Sequence, residues 1–149
     1  MEEDSTVSQD IITRLQSVLL TSVVEEQPLP GQAEPVRFPD LAFITQASKV
    51  LVSDEEVSGQ LDVSGIDKPA EILPLAEIRE EASQSGDRFY IQFRPAREQE
   101  GQITIVIEVR MAPTEADLLP LGLGGIQATF VQKPDGRWEV IDLPVLYGI

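Results

Sequence analysis

The chain has 149 residues, 42% of them hydrophobic and 25% charged, a balance that suits one globular domain with a buried core. Its 26 acidic residues against 11 basic ones give a net charge of −15, which repels phosphate and makes nucleic acid and anionic membrane surfaces poor partners. With no Cys and no His, disulfides, thiolate catalysis, Cys-ligated zinc, HExxH zinc sites and Ser-His-Asp triads are all excluded.

A basic partner surface remains open, against the plainer view that the acidity keeps the protein in solution. Met1 to Asp4 is acidic where a secretion signal needs a basic start, and no uninterrupted apolar stretch has membrane-spanning length. Residues 1–6 read as a flexible acidic opening and 7–149 as a single α+β domain. The expected location is the cytoplasm, with an exported mature domain that has lost its leader as the alternative.

Thr6 and Gln9 have the form of a capping box, and Ile11, Ile12, Leu15, Val18 and Leu19 recur at helical spacing. They predict an amphipathic helix over 7–24. A membrane-surface helix would carry Lys and Arg on its polar face, where this one has Arg14 alone. Pro28, Pro30, Gly31, Pro35 and Pro39 then forbid regular helix and predict a surface connection. Leu41, Ile44, Ala47, Ser48 and Leu51 allow a second helix over 40–50 capped by Asp40, while Val50-Leu51-Val52 looks like a strand.

Val57, Gly59, Leu61 and Val63 alternate with polar residues and predict an edge strand, followed by a short strand at Ile72-Leu73. Residues 75–83 fit both helix and strand. The Ser85-Gly86-Asp87 turn beside Phe89 tips the expectation to strand.

The regular part follows. Phe89, Ile91 and Phe93 share one face of a strand, with Arg88, Tyr90, Gln92 and Arg94 on the other. A polar hairpin loop at 95–101 leads to a second strand, in which Ile103, Ile105, Ile107, Val109 and Met111 lie opposite Thr104, Val106, Glu108 and Arg110. Ile126, Ala128 and Phe130 mark a third strand. Pro134-Asp135-Gly136 is a turn, and 138–142 returns with Trp138 and Val140 inward. Between strands lies an apolar, glycine-rich loop, 118–125, and the chain closes on an apolar tail, 143–149.

These elements predict an α+β protein: one or two helices packed on a curved antiparallel sheet of four to six strands, with the apolar sheet face needing a helical cover. In order of elements, and in the closing hairpin Asp135-Gly136-Arg137-Trp138-Glu139-Val140, it resembles the nuclear-transport-factor-like and cystatin-like cone folds. That resemblance implies a helix cradled by the sheet and room for a pocket between them.

No chemistry-bearing motif stands out. Gly122-Leu123-Gly124-Gly125 precedes a strand instead of following one, and no P-loop lysine comes after it. Asp54-Glu55-Glu56 and Glu80-Glu81 lack the EF-hand pattern. Among 26 acids, a glycosidase-like pair carries no information. No catalytic residue, metal ligand or cofactor is assigned.

The expected function is a non-catalytic acidic binding or assembly protein acting through protein–protein contacts. Its partner is another protein or a second copy of the chain, with Leu118, Leu119, Leu121, Leu123, Leu146 and Tyr147 as contact surface. The alternative is a small-ligand binder or enzyme with an apolar pocket between helix and sheet, lined by Phe89, Phe93, Ile105, Phe130 and Trp138.

Overall fold

Helix α1 (Gln9–Glu25) is the centre of the molecule and not only a cover for its sheet. The computed structural model describes residues 9–57, 61–115, 117–143 and 145–147, the last three and Pro39 by their backbone path alone. Leu15, Leu19, Leu20, Val23 and Val24 of α1 pack into the main core, and Thr13, Gln16 and Ser22 are buried as well. A helix buried on most sides needs a second cover, and two connections supply it. The proline-rich stretch after α1 sends Leu29, Val36 and Phe38 into the core. The segment 61–66 adds Leu61 and Ile66.

The edge strand expected over 56–63 is corrected by that segment. Residues 58–60 lie outside the described ones, but Val57 sits in a bend and 61–63 join no ladder. Their polar groups are met by α1 instead: the Asp62 N–H donates to Ser17 Oγ at 2.8 Å, and the Asp67 N–H donates to Glu25 Oε2 at 2.9 Å. The two-residue alternation is present, but among the described residues of this segment none pairs with a strand.

After a 3-10 turn at Pro39–Leu41, helix α2 covers only Ala42–Thr45. The helix expected over 40–50 stops there, because the β-branched pair flanking Leu51 enters strand β1 (Val50–Ser53). Strand β2 (Ala70–Leu73) follows, then helix α3 (Leu75–Ser85). The strand expected over 75–83 is thus a helix. Ile78 and Ala82, four apart, bury together against Leu51, Tyr90 and Ala112, with Leu75 beside them.

The remaining strands are β3 (Arg88–Phe93), β4 (Arg97–Gln99), β5 (Gln102–Ala112), β6 (Leu121–Gln132), β7 (Trp138–Asp142) and β8 (Val145–Tyr147). All belong to one sheet in the order β2-β1-β3-β5-β6-β7, with β4 on β5 and β8 on β6. From β3 onward every pairing is antiparallel, as expected, but β1 runs parallel to both β2 and β3. The sheet is therefore mixed and carries eight described strands, against an expectation of four to six antiparallel ones. Two crossovers are the reason: the connection 54–69 returns the chain to its starting end between β1 and β2, and α3 does so between β2 and β3, so all three strands run the same way.

Two further corrections concern one face and one boundary. Tyr90, expected on the wet side, is fully buried because α3 covers that side. The second half of the glycine-rich loop is strand: β6 begins at Leu121 and pairs with β5 through a bulge at Val109/Arg110. The far edge is closed by the proline-rich strap, where Pro30 O accepts from Val140 N–H at 2.9 Å and Gln32 Nε2 donates to Val140 O at 2.9 Å.

Candidate functional site

The face of the sheet opposite α1 holds a cleft of about 530 Å³, a size within the range of ligand pockets. Its floor is built from two paired strands. Tyr90 stands opposite Arg110 and Gln92 opposite Glu108 across the β3–β5 ladder, so alternation puts all four on one face. The strand order then fixes the walls. Glu55 and Glu56, just past β1, line one side, and Leu119 and Pro120, just before β6, line the other. Leu75, the first residue of α3, lines the cleft as well.

Glu108 is only 2% exposed and receives two arginines. Arg110 Nη1 donates to Oε1 at 2.8 Å, and Arg94 Nε donates to Oε2. A carboxylate taken out of water is tolerated when it is paired in this way. Arg94 keeps 52% of its side chain exposed, so the cluster opens to solvent at that end.

Beneath it, the Tyr90 hydroxyl is buried and has no hydrogen-bond partner among the described residues. Burial pushes its pKa above the usual phenol value, and the neighbouring Arg110 opposes that rise. Arg110 is the nearest donor and opposes the rise by its hydrogen-bonding approach first and its charge second, although no bond of full geometry forms.

Two anchors shape the walls. Gln16, buried in α1, donates from Nε2 to Glu56 O at 2.8 Å and holds a turn in which Glu56 has φ +61°. On the other side, Arg79 Nη2 donates to Leu118 O at 3.1 Å and Arg110 Nη2 to Pro120 O at 3.4 Å. Asp87 accepts from both Thr114 N–H at 2.7 Å and Thr114 Oγ1 at 2.8 Å. These bonds hold its carboxyl below the usual range, the Thr114 hydroxyl contributing most.

An apolar surface adjoins the cleft. Phe89, Met111 and Leu121 are cross-strand neighbours at one end of the sheet, and Phe43 stacks on Phe89 with ring centroids 4.2 Å apart. Phe43 is 45% exposed, Leu118 48%, Leu119 73% and Leu121 53%.

The residues singled out from the sequence fall into three groups. Leu118, Leu119 and Leu121 are each exposed, whereas Leu123 is half-buried against the core. For Leu146 and Tyr147 only the backbone is described, paired with Gly125 and Gly124. Of the alternative set, Phe93, Ile105 and Phe130 are fully buried in the core that α1 fills, Trp138 packs against it, and Phe89 sits at the apolar end. Of these five only Phe93 borders the outer-face cleft.

Tyr90, Arg94, Glu108 and Arg110 are what the sequence reasoning missed. All four were placed on wet faces and given no role. The signal was there in part: a hairpin between the two strands sets Tyr90 and Gln92 against Arg110 and Glu108.

Fold and site together define an α+β protein with helices on both faces of a mixed sheet and a charged cleft on the outer one. No protein-family model, no curated protein and no solved structure matches the chain. The resemblance to cone folds in element order therefore carries no functional argument. Among the described residues, no helix is long and apolar enough to cross a membrane.

Proposed function

We propose that the protein is a non-catalytic binding or assembly protein that works through protein–protein contact at the apolar end of its sheet. One observation carries this: Leu118, Leu119 and Leu121 are exposed at the entry to β6, where Leu121 continues the cross-strand row of Phe89 and Met111, and Asp87 and Arg79 pin the loop that leads there. Leucines held out by hydrogen bonds to their own loop are a surface ready for cover. Burying one fully is worth about 1.5–3 kcal/mol.

The partner is another protein or a second copy of the chain. The net charge of −15 favours a basic partner surface and speeds its approach. We read the protein as soluble and cytoplasmic. An enzyme is less well supported, because the one buried carboxylate of the cleft is neutralised by two arginines and no His or Cys is available.

The test is Leu119→Glu with Leu121→Glu, compared with wild type by sedimentation equilibrium and by affinity capture followed by reciprocal capture. Support is self-association, or one reciprocally confirmed partner, that the variant loses at unchanged melting temperature. A monomeric wild type whose captured proteins match those of the variant overturns the proposal.

A further inference from the structure

We propose that the outer-face cleft is a binding site for a free α-amino acid with an aliphatic side chain. Apart from Leu119, none of its residues belongs to the contact patch.

Three features of the cleft converge on that chemistry. The first is a set of donors. Arg94 and Arg110 share one carboxylate, Glu108, so one positive charge is left over on the floor. Among the described residues, Arg94 uses only its Nε side-chain nitrogen, leaving both Nη groups at the exposed end. The Tyr90 hydroxyl lies on the same floor, buried, with Arg110 near it but no hydrogen bond of full geometry among the described residues. Native proteins rarely leave such a group unsatisfied without a use for it. Helix α3 starts in the cleft lining at Leu75 with no side-chain cap, which adds the positive end of its dipole. Together these suit a carboxylate.

The second feature is acid at the β1-side wall. Glu55 and Glu56 are exposed, and neither side chain has an ion-pair partner among the described residues. Counting the lining residues, three carboxylates against two guanidiniums leave −1, in a chain already at −15. A purely anionic ligand such as phosphate is therefore opposed. A ligand that brings an ammonium for Glu55 and Glu56 along with its carboxylate is matched at both ends.

The third feature is apolar lining. Leu119 and Pro120 stand across the cleft from the acids, with Leu75 also lining it. An aliphatic side chain removes Leu119 from water.

Titration calorimetry on the full chain tests this, with L-leucine, N-acetyl-leucine and leucinamide as probes. Leucine should bind saturably, and loss of either charge should weaken binding by about tenfold or more. Tyr90→Phe should weaken leucine binding by about tenfold while leaving the melting temperature unchanged or raised, because it removes a buried hydroxyl that makes no hydrogen bond of full geometry. Glu55→Gln with Glu56→Gln should weaken leucine but not N-acetyl-leucine. Leu121→Glu, at the contact patch, should leave all three titrations as they are, so the two proposals fail separately. The site is overturned if no standard aliphatic amino acid saturates at millimolar concentration, or if N-acetyl-leucine binds as tightly as leucine. It is equally overturned if leucine affinity survives both cleft variants, or if Tyr90→Phe lowers the melting temperature.

Discussion

Arg110 reaches back along its own strand to Glu108, two residues away, and Nη1 meets Oε1 at 2.8 Å. Arg94, one residue past the end of the neighbouring strand β3, holds the other carboxylate oxygen. The cluster thus ties β3 and β5 together over a carboxylate that is 2% exposed. The three residues are unequal, since both arginines keep more contact with water than the acid does. Replacing both arginines by Met strands the carboxylate and should cost about 3–5 kcal/mol. Glu108→Leu leaves two guanidiniums that can rehydrate and should cost less, roughly 1–2 kcal/mol. Urea denaturation of the variants checks the order. Equal costs would mean that the carboxylate reaches water in the folded state.

The loop carrying the exposed leucines is tied to β3 by an acid. The Asp87 carboxyl is held below its usual pKa by Thr114, through the hydroxyl first and the backbone N–H second. An acid with a depressed folded-state pKa contributes above its unfolded value, about pH 4, and that contribution is lost as pH falls through the lowered folded value. The Thr114 amide resonance should therefore hold steady at neutral pH and shift only in acid below that point. In Asp87→Asn the acid transition should vanish. A Thr114 amide that titrates identically in the variant would break the link.

Tyr90 gives the opposite sign. Burial raises its phenol pKa above the usual value. Its contribution is complete below about pH 10 and falls away as pH climbs through the raised folded value. The stability difference between wild type and Tyr90→Phe, followed by denaturation from neutral pH into alkali, should move against wild type above that point. A flat difference would place the hydroxyl in contact with water.

The strap that guards β7 depends on one glycine. Gly31 has φ +86°, and a Cβ there would lie 3.1 Å from Glu139 Cβ and 3.3 Å from Val140 O. Gly31→Ala is therefore strained in both backbone and space and should cost at least about 1 kcal/mol. Hydrogen exchange at Val140, whose N–H donates to Pro30 O, should speed up with it. Unchanged Val140 exchange would show that the strap is not what protects this edge.

The readable elements were those whose partners are close in sequence. The β5, β6 and β7 hairpins announce themselves by alternation, and the closing turn by Pro134-Asp135-Gly136, where Gly136 takes φ +93° and its N–H donates to Lys133 O at 2.8 Å. Helix α1 was legible from its apolar spacing to within a residue or two at the described end. Residues 75–83 were not, because Ile78, Glu80 and Ala82 satisfy a two-residue period while Ile78 and Ala82 satisfy a helical one. Burial of Ile78 and Ala82 against Tyr90 and Ala112 chose the helix. The site was legible only as pieces. The exposed leucines could be named in advance, but the cleft beside them could not.

By itself, the sequence determined which side chains alternate, where the chain must turn, and that His and Cys chemistry is absent, because these depend on neighbours a few residues apart. Tertiary structure alone decided that β1 lies parallel to β3, that α3 covers the face expected to be wet, and that Glu108 sits buried between Arg94 and Arg110. Alternation tells a residue which face it occupies. Whether that face meets water is decided by what packs on it from elsewhere in the chain.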